Sequence, residues 1–385
     1  MRPLAGPERS LMTAQSAFIY DDAFSHHVLR QDHPMRPIRL RYTYELLDSY
    51  GAFKDSGQLV KPRPATEEEV SAFHTSDYIQ AVRMLSSGMY LPSSAQYGFS
   101  AMGDNPVFPG MFEASLLSTG GTMVAAEMVA QGKVKAAFNI SGGLHHAMAD
   151  RASGFCVFND PVVAIKYLMK QGMKVAYVDI DAHHGDGVQA AFYDTDQVLT
   201  ISTHESGRFL FPGTGFVDEA GTGKGRGYSV NVPLFPYTGD DAYLWAFRET
   251  VVPLIKAFKP DILFTQLGID THARDPITHL QLTSRAFTEA VQEFASLGLP
   301  WIATGGGGYD VMAVARCWAL AYGIMAGREW SQDIPEAYTS RYGITNLRDP
   351  DVNPPAKELH DQIESHAQVT VEEIKKLFFP IHKVD

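Results

Sequence analysis

The segment 175–192, VAYVDIDAHHGDGVQAAF, changes from an apolar run to a cluster of acids, histidines and glycines. Its first residues have the length and the β-branched and aromatic content of a buried strand. Asp179, Asp181, His183 and Asp186 follow in close succession. Ligands of open α/β sheets bind beyond the carboxyl ends of the strands. The segment therefore predicts a core strand that presents polar side chains at a functional edge of a sheet.

Three other apolar runs of strand length also end in polar or glycine-rich clusters: KAAFNISGGLHH, DILFTQLGIDTH and PWIATGGGGYD. Helix-like stretches separate the runs, such as NDPVVAIKYLMKQG, capped by Asn159 or Asp160, and SRAFTEAVQEFASLG, capped by Ser284. This alternation predicts an α/β fold with a central, mostly parallel sheet and helices on both faces. The four clusters should then meet in one site at the carboxyl ends of the strands.

The length of 385 residues is compatible with one α/β domain, and no repeat or low-complexity linker divides the chain. We predict an N-terminal tail without regular structure at residues 1–17 and a single domain at residues 18–385. Prolines accumulate in the last part of the chain. Residues 329–385 should therefore wrap over the surface and end in a short amphipathic helix near TVEEIKKLFF.

The amino-acid composition indicates which kinds of partner and which cellular compartment suit this chain. The formal net charge of −12 argues against a nucleic-acid-binding protein, because phosphate affinity depends on lysine and arginine. A cationic partner fits this charge better. Cys156 and Cys317 are far apart and form no disulfide framework. We see no apolar signal segment and no run of about 20 apolar residues for a membrane span, so we expect a cytoplasmic protein that binds no membrane.

One residue separates Asp181 from His183, so both side chains point the same way if the backbone there is extended. This spacing suits two ligands of one metal ion, and Asp270, which follows another apolar run, is the best third ligand. Mixed imidazole and carboxylate ligation favours Zn²⁺ or Fe²⁺ over Ca²⁺ or Mg²⁺. A single aspartate after a strand is more often a cap or turn residue, but the joint pattern favours a metal site.

His145 and His146 follow a strand and a glycine pair, and in a loop both imidazoles can reach one substrate and move protons. A lone histidine pair is usually structural, but its position at the predicted edge favours catalysis. Tyr309 follows four glycines, where its phenol can donate a hydrogen bond to a developing oxyanion. A phosphate loop is the competing interpretation, but no Lys-Ser/Thr follows and GxGxxG is not matched.

Six motifs occur in a fixed order: NISGGLHHA, GFCVFND, VDIDAHHGDG, FPGTG, GIDTHARDP and GGGGYD. Together they resemble the zinc-dependent histone deacetylase superfamily, which includes bacterial acetoin-utilisation deacetylases and acetylpolyamine amidohydrolases. The resemblance runs from about Tyr20 to Arg328 and implies an arginase-like α/β fold and hydrolysis of an acetylated amine. The segment GDNPVFPGMFEASLLSTGG is similar to the class I and acetoin-utilisation branch, and DTHARDPITHL is more like bacterial members.

The resemblance implies a role for each residue that matches a family motif. Catalysis falls on the metal ligands Asp181, His183 and Asp270, the acid/base pair His145 and His146, their orienting carboxylates Asp179 and Asp186, and the oxyanion donor Tyr309. Substrate contacts fall on the tunnel walls Phe155 and Phe211, on Gly154 and Gly307, and on the rim acid Asp104. Arg39 resembles the basic residue of an internal acetate channel. An isolated phenylalanine would otherwise be assigned to core packing.

The family also implies two sites for a monovalent cation, K⁺ or Na⁺. The first would involve Asp179, Asp181, His183, Ser202 and Thr203. The second would involve Phe192, Thr195, Val198 and Tyr228.

The favoured hypothesis is a metal-dependent deacetylase that acts on acetyl-lysine in a peptide or protein, or on a related acylated amine. An acetylpolyamine amidohydrolase or another small-molecule deacylase is the first alternative. A binuclear manganese ureohydrolase is less favoured, because His184 and Gly185 stand where a further ligand aspartate would be needed. A non-catalytic binding module is disfavoured by the complete ligand set and both histidines. The sequence carries no prediction of the oligomeric state.

Overall fold

The computed structural model describes residues 15–26, 28–350 and 356–384. Within these residues, one sheet contains eight strands: β1 (Ser16–Ile19), β2 (Gly57–Val60), β3 (Ala136–Asn139), β4 (Val175–Asp179), β5 (Val198–Glu205), β6 (Ser229–Leu234), β7 (Ile262–Gln266) and β8 (Trp301–Thr304). The helices are α1 (Ile38–Ser49), α2 (Glu67–Val70), α3 (Ser76–Ser86), α4 (Met111–Ala130), α5 (Asp160–Lys170), α6 (Asp186–Phe192), α7 (Asp240–Phe258), α8 (Ser284–Ser296), α9 (Val311–Met325), α10 (Glu336–Tyr342) and α11 (Lys357–His382). Short 3₁₀ helices span Asp22–Ser25, Ser94–Tyr97 and Gly223–Gly225.

The strand order is β2-β1-β3-β8-β7-β4-β5-β6, and every pairing between these strands is parallel. The four apolar runs singled out in the sequence are β3, β8, β7 and β4, which are adjacent in the middle of the sheet. Their last residues are in register, with Asn139 opposite Thr304, Thr304 opposite Gln266, and Gln266 opposite Asp179. The predicted fold is confirmed, and the four polar clusters emerge side by side at one edge.

Alternating strand residues bury two separate faces of the sheet. Ala176 and Val178 of β4 pack with α1, α7, α8 and α9 in one apolar core. Val175 and Tyr177 of the same strand pack with α4 and α5 in another. Because successive side chains of a strand point to opposite faces, an apolar run without alternation is what a doubly covered strand requires.

Helix boundaries differ in places from those predicted. Asn159 caps α5 through a hydrogen bond from the backbone N–H of Val162, as expected. Thr283, and not Ser284, caps α8, because its side chain accepts from the backbone N–H of Arg285. The predicted C-terminal helix exists, but it has 26 residues and is therefore not short. Its apolar stripe packs against α7 and β6, which stabilises the added turns.

The first strand begins at Ser16, inside the predicted tail of residues 1–17. Residues 1–14 of that tail lie outside the described residues. Among the helices that the structure does describe, none combines the length and the apolar character needed to cross a membrane.

Asp349 holds the segment after α10 against the rest of the domain through hydrogen bonds and ion pairs. Its carboxylate accepts hydrogen bonds from Arg316 Nη2 at 2.7 Å, from the backbone N–H of Ser284 at 2.9 Å, and pairs with His272 Nε2 at 2.9 Å. Arg316 belongs to α9 and Ser284 to α8, while His272 lies in the loop after β7. One carboxylate therefore ties two helices and a loop beside the candidate site to the C-terminal segment.

Candidate active site

A group of potential metal ligands lies at the carboxyl ends of β4 and β7. Strand β4 ends at Asp179, so Asp181 and His183 follow in a bend, and not in the extended backbone that their spacing suggested. The bend still brings them together with Asp270. His183 Nδ1 lies 3.0 Å from Asp181 Oδ1 and 2.9 Å from Asp270 Oδ2. All three residues are buried, and their ligand atoms lie within 4.8 Å of one another.

Hydrogen bonds orient both carboxylates of this group. Asp181 Oδ2 accepts from Gln266 Nε2 at 2.7 Å, and Asp270 Oδ1 accepts from the backbone N–H of Ala182 at 2.8 Å. The opposite oxygen of each carboxylate faces His183 Nδ1. Gln266 is fully buried at the last position of β7, and the sequence analysis did not single it out. Its only sequence signal was its place at the end of an apolar run.

The charges in this group perturb one another. Burial disfavours the charged imidazole of His183, but Asp270 and Asp181 outweigh burial and raise the pKa of His183 well above its usual value. Burial and the charge of Asp181 raise the pKa of Asp270 to about 7. A bound cation would relieve the carboxylate repulsion and displace the protons that the raised pKa values of His183 and Asp270 favour. Two carboxylates and one imidazole around a common point are a donor set that suits Zn²⁺ or Fe²⁺.

The histidine pair lies beside the potential ligands. The Nε2 atoms of His145 and His146 are 3.0 Å apart, and their Nδ1 atoms lie 2.7 Å from Asp179 Oδ2 and 2.7 Å from Asp186 Oδ1, respectively. Burial and the neighbouring His145 lower the pKa of His146 to about 4. Burial also acts on His145, but the charges of Asp179 and Asp181 outweigh it and raise its pKa to about 9. At neutral pH, His146 is therefore the uncharged member of the pair.

Two residues of the α5 cap support the backbone of the histidine pair. Asn159 Nδ2 donates to the carbonyl oxygen of His145 at 3.1 Å. The carboxylate of Asp160 accepts from the backbone N–H of Gly143 at 3.0 Å and of Leu144 at 2.9 Å. The side chains of Asn159 and Asp160 are fully buried. The sequence predicted these residues as helix caps only, and it did not reveal their contacts with the backbone of residues 143–145.

The four glycines before Tyr309 carry the chain past the potential metal site. Gly306 and Gly308 have φ values of 139° and 125°, in the region that side chains disfavour. A Cβ atom on Gly307 would overlap Asp270 Oδ2 and approach Asp181. The glycine at position 307 is therefore required for close approach of the backbone to the ligand group.

Tyr309 follows this loop and is partly exposed. Burial and the charges of Asp270 and Asp181 raise the pKa of its phenol well above the usual value, so the hydroxyl keeps its proton and can donate it in a hydrogen bond. Arg39 donates to the carbonyl oxygens of Gly308 at 2.8 Å and Gly306 at 2.7 Å and so fixes the loop from within the domain.

Two phenylalanines stand beside the catalytic candidates. The ring centroid of Phe155 is 5.7 Å from that of Tyr309, and the centroid of Phe211 is 5.0 Å from that of His146. Phe211 is 42% exposed, so it belongs to the rim and not to the core. A Cβ atom on Gly154 would overlap the imidazole of His146. Gly154 and Phe211 therefore contact His146, and Phe155 contacts Tyr309, while their role as tunnel walls stays a prediction.

Asp104, the predicted rim acid, lies at the surface next to His33. The side chain of Asp104 is exposed, and its carbonyl oxygen lies 3.2 Å from His33 Nε2. The ring of His33 contacts the ring of Phe155 with centroids 4.5 Å apart. Asp104 therefore contacts His33, and His33 contacts Phe155. Neither of these contacts links Asp104 directly to the histidine pair or to Tyr309.

Arg39 is buried and lines a cavity of about 110 Å³. The cavity extends between Phe155, Leu144 and Ser141 on one side and the residues after β1 on the other. Burial lowers the pKa of Arg39, although nearby Tyr309 and Asp270 oppose the shift. The channel role that the resemblance implies for Arg39 stays a prediction.

The residues assigned to monovalent cations fall into two places. Thr203 Oγ1 donates to the carbonyl oxygen of Asp179 at 3.3 Å, and Ser202 pairs with His204 Nδ1 at 2.8 Å, so the first set surrounds the end of β4 next to Asp181 and His183. In the second set, the carbonyl oxygen of Phe192 accepts from the N–H of Thr195 at 3.3 Å, and Tyr228 accepts from Thr200 beside Val198. Ser202 and Thr203 are buried.

The amino-acid sequence is similar to those of known proteins over most of its length. Residues 33–325 match the model of the histone deacetylase domain. The chain belongs to the histone deacetylase family. A relative with the name acetoin utilization protein AcuC, from Bacillus subtilis (strain 168), is 44% identical over 375 residues, which are 92% of this chain and 95% of that protein. Human histone deacetylase 1 is 38% identical over 319 residues, which are 83% of this chain and 66% of that protein.

Solved structures of histone deacetylase homologues share the whole fold. The crystal structure of an HDAC homolog from Aquifex aeolicus superposes with a TM-score of 0.83 at 34% identity and covers 92% of this chain and 100% of its own. The structure of an HDAC homolog complexed with SAHA gives a TM-score of 0.84 at 34% identity, with coverage of 94% and 99%. The family predicted from the six motifs is confirmed.

Proposed function

We propose that this histone deacetylase family member is a zinc-dependent amidohydrolase that removes the acetyl group from acetyl-lysine in a peptide or protein, or from a related acylated amine. One observation carries the proposal. The buried ligand group of Asp181, His183 and Asp270 lies beside a histidine pair whose outer nitrogens are each bound to a carboxylate. Family membership supports deacetylation as the reaction class.

Asp181, His183 and Asp270 would hold the metal ion, and Fe²⁺ is a second candidate for the same donors. When bound, the ion would polarise the acetyl carbonyl and lower the pKa of a water molecule beside it. Asp181 is kept in place by the hydrogen bond from Gln266, so that its second oxygen stays directed at the ligand group. We also propose that K⁺ or Na⁺ binds at two groups of residues, one near Ser202 and the other near Tyr228.

His146 is the proposed proton acceptor, because it is the uncharged histidine and its Nδ1 is fixed by Asp186. It takes one proton from water while the remaining hydroxide adds to the acetyl carbon. The C–N bond then breaks as the amine nitrogen receives that proton, which gives acetic acid and a free amine. The acid passes its proton to the amine, so the products leave as acetate and an ammonium ion. The Tyr309 hydroxyl donates a hydrogen bond to the carbonyl oxygen as negative charge develops there.

Phe155 and Phe211 are proposed to enclose the methylene chain of the substrate, with Gly154 and Gly307 leaving room for it and Asp104 accepting from a peptide backbone at the rim. Cavity-lining Arg39 is proposed to face the acetate product. The acidic chain, with a formal net charge of −12, would attract a substrate that is otherwise cationic. We further propose that the protein is cytoplasmic and binds neither nucleic acid nor a membrane.

An acetylpolyamine or another small acylated amine would satisfy the same catalytic group and is the retained alternative. A binuclear ureohydrolase is less well supported. Within the residues that the structure describes, histidine, cysteine and carboxylate side chains come together as potential metal ligands in a single group of three. One ion per chain therefore supports deacetylation, and two ions per chain would favour the ureohydrolase.

The deciding experiment compares acetyl-peptides, acetylpolyamines and longer acyl-lysines with enzyme loaded separately with zinc and iron. We expect release of acetate from an acetyl-lysine peptide, one metal per chain, and inhibition by SAHA, the compound bound to the related HDAC homolog. Exclusive turnover of acetylpolyamines would replace the proposed substrate class. Two metals per chain without amide hydrolysis would contradict the deacetylase proposal.

A further inference from the structure

Asp275 lies in the loop that follows the metal ligand Asp270 and reaches across to the catalytic tyrosine. Its Oδ2 accepts a hydrogen bond from the backbone N–H of Tyr309 at 2.8 Å. Its Oδ1 accepts from the backbone N–H of Ile277 at 3.0 Å, and its own N–H donates to the carbonyl oxygen of His272 at 2.8 Å. Both carboxylate oxygens are thus occupied by backbone donors from two different loops.

Tyr309 needs such an anchor because four glycines precede it. Side-chain packing cannot fix residues 305–308, and Gly306 and Gly308 occupy backbone conformations open mainly to glycine. Arg39 restrains the carbonyl oxygens of this loop on its inner side. The N–H of Tyr309, which immediately precedes the catalytic side chain, is restrained by Asp275.

The same loop also contacts the metal ligand. The Thr278 hydroxyl donates to the carbonyl oxygen of Asp270. Asp270 and Tyr309 would act on the same carbonyl group of the substrate, one through the metal and the other through its hydroxyl. Loop 270–278 therefore joins the two groups whose separation decides how well an oxyanion fits between them.

We propose that Asp275 is a positioning residue for Tyr309, one that sets the distance between the phenol hydroxyl and the metal site. The inference rests on the proposed function, since it assigns Asp275 to the placement of the oxyanion donor. A carboxylate suits the position because both of its oxygens accept. The side chain introduced by Asp275→Asn would present an amide N–H₂ to one of the two backbone donors, and that of Asp275→Ala would accept from neither.

The test is a double-mutant cycle between Asp275 and Tyr309, with Arg274→Ala as the matched control. Arg274 is the preceding residue, and its exposed side chain pairs with Asp310 and not with the catalytic tyrosine. We expect Asp275→Ala to lower kcat by about 10- to 100-fold, as misplacement by about 1 Å does, with KM and metal content near those of the wild type. Asp275→Asn should give a smaller loss, and Arg274→Ala should change kcat less than about twofold.

In the Tyr309→Phe background, Asp275→Ala should lower kcat by no more than about twofold, because the group that it positions is already gone. An equal fold-loss in both backgrounds would overturn the inference and assign Asp275 to the fold. Lost metal in Asp275→Ala, or wild-type kcat in that variant, would overturn it as well.

A second measurement separates this inference from the proposed function. In protein labelled with ¹⁵N-tyrosine, the amide resonance that disappears in Tyr309→Phe reports on the N–H held by Asp275. That resonance should shift and exchange faster with solvent in Asp275→Ala, and stay in place in Arg274→Ala. An unchanged resonance in Asp275→Ala rejects the positioning role, whereas absent wild-type turnover rejects only the proposed function.

Discussion

His145 and His146 are neighbours in sequence, and their Nε2 atoms lie 3.0 Å apart, yet their affinities for a proton differ widely. The pKa of His145 is raised to about 9 and that of His146 is lowered to about 4. Both imidazoles are buried, so burial alone cannot separate them. His145 lies nearer the negative charges of Asp179 and Asp181, and its charge in turn disfavours a proton on His146.

We expect His146→Ala to reduce kcat by about 10²- to 10⁴-fold, because this histidine is the proposed proton acceptor of the pair. Metal content should remain at one ion per chain, since the imidazole is not among the ligand candidates. His360→Ala is a suitable control, because that partly exposed side chain pairs with Glu364 on α11, away from the candidate site. Steady-state kinetics and metal analysis of both variants test the assignment, and a His146→Ala enzyme with normal kcat would refute it.

Tyr309→Phe removes one hydroxyl and leaves the ring against Phe155. Loss of one oxyanion donor typically lowers kcat by about 10²- to 10³-fold, so we expect a loss of this size. Metal binding and the midpoint of thermal unfolding should be unchanged. Turnover of an acetyl-lysine reporter measures the effect. Near-wild-type turnover would show that the phenol has no part in stabilising the oxyanion.

Gly307→Ala should impair metal binding, because the new methyl group would overlap Asp270 Oδ2 and approach Asp181. We expect the variant to be purified with well under one ion per chain and to have little activity. Gly239→Ala is the matched control, since its Cβ atom would meet nothing closer than the carbonyl oxygen of Gln281 at 3.8 Å. Metal content measured by mass spectrometry distinguishes the two. Full metal occupancy in Gly307→Ala would contradict the close approach of the glycine loop.

Asp349→Asn should destabilise the domain at neutral pH by about 2 kcal/mol, as expected for lost hydrogen bonds to charged partners. Burial opposes ionisation of Asp349, but the hydrogen bond with His272 and the charge of Arg316 hold its pKa well below the usual value. A depressed folded-state pKa gives stability that is fully present above the unfolded pKa of about 4 and is lost as the pH falls below it.

The difference in the free energy of unfolding between wild type and Asp349→Asn should therefore be constant from about pH 7 to pH 5 and shrink below about pH 4. Urea titrations at several pH values measure it. Asp361→Asn is the control, because its pair with Lys357 is exposed and contributes little. A pH-independent difference would show that Asp349 acts through packing and not through its charge.

The fold could be predicted because each central strand carries an apolar run that ends in polar residues. The run before Asp179 and the run before Asp270 show both features, and adjacent parallel strands bring their ends together. The length of α11 could not be predicted from the short apolar pattern near its end. Its earlier turns are stabilised by packing on α7 and β6, which is a tertiary effect.

The sequence predicted some residues of the candidate site and missed others. The spacing of Asp181 and His183 pointed to a common ion, but for a reason that was wrong, since the strand ends at Asp179. Residues that act through hydrogen bonds with the backbone had no signal of their own. Gln266 is one amide in an apolar run, and Asp275 is one acid in an irregular loop. Their partners are distant in sequence, and only the folded chain reveals them.

The place of β8 in the sheet has a consequence for the order in which the enzyme matures. This strand is the last of the eight in sequence, yet it lies between β3 and β7. The loops that supply the ligands follow β4 and β7, which are neighbours without it, whereas the histidine pair follows β3 on its other side. Because β8 is synthesised last, we expect the sheet to bring the proposed metal ligands and the proposed acid/base pair together only once that strand is in place.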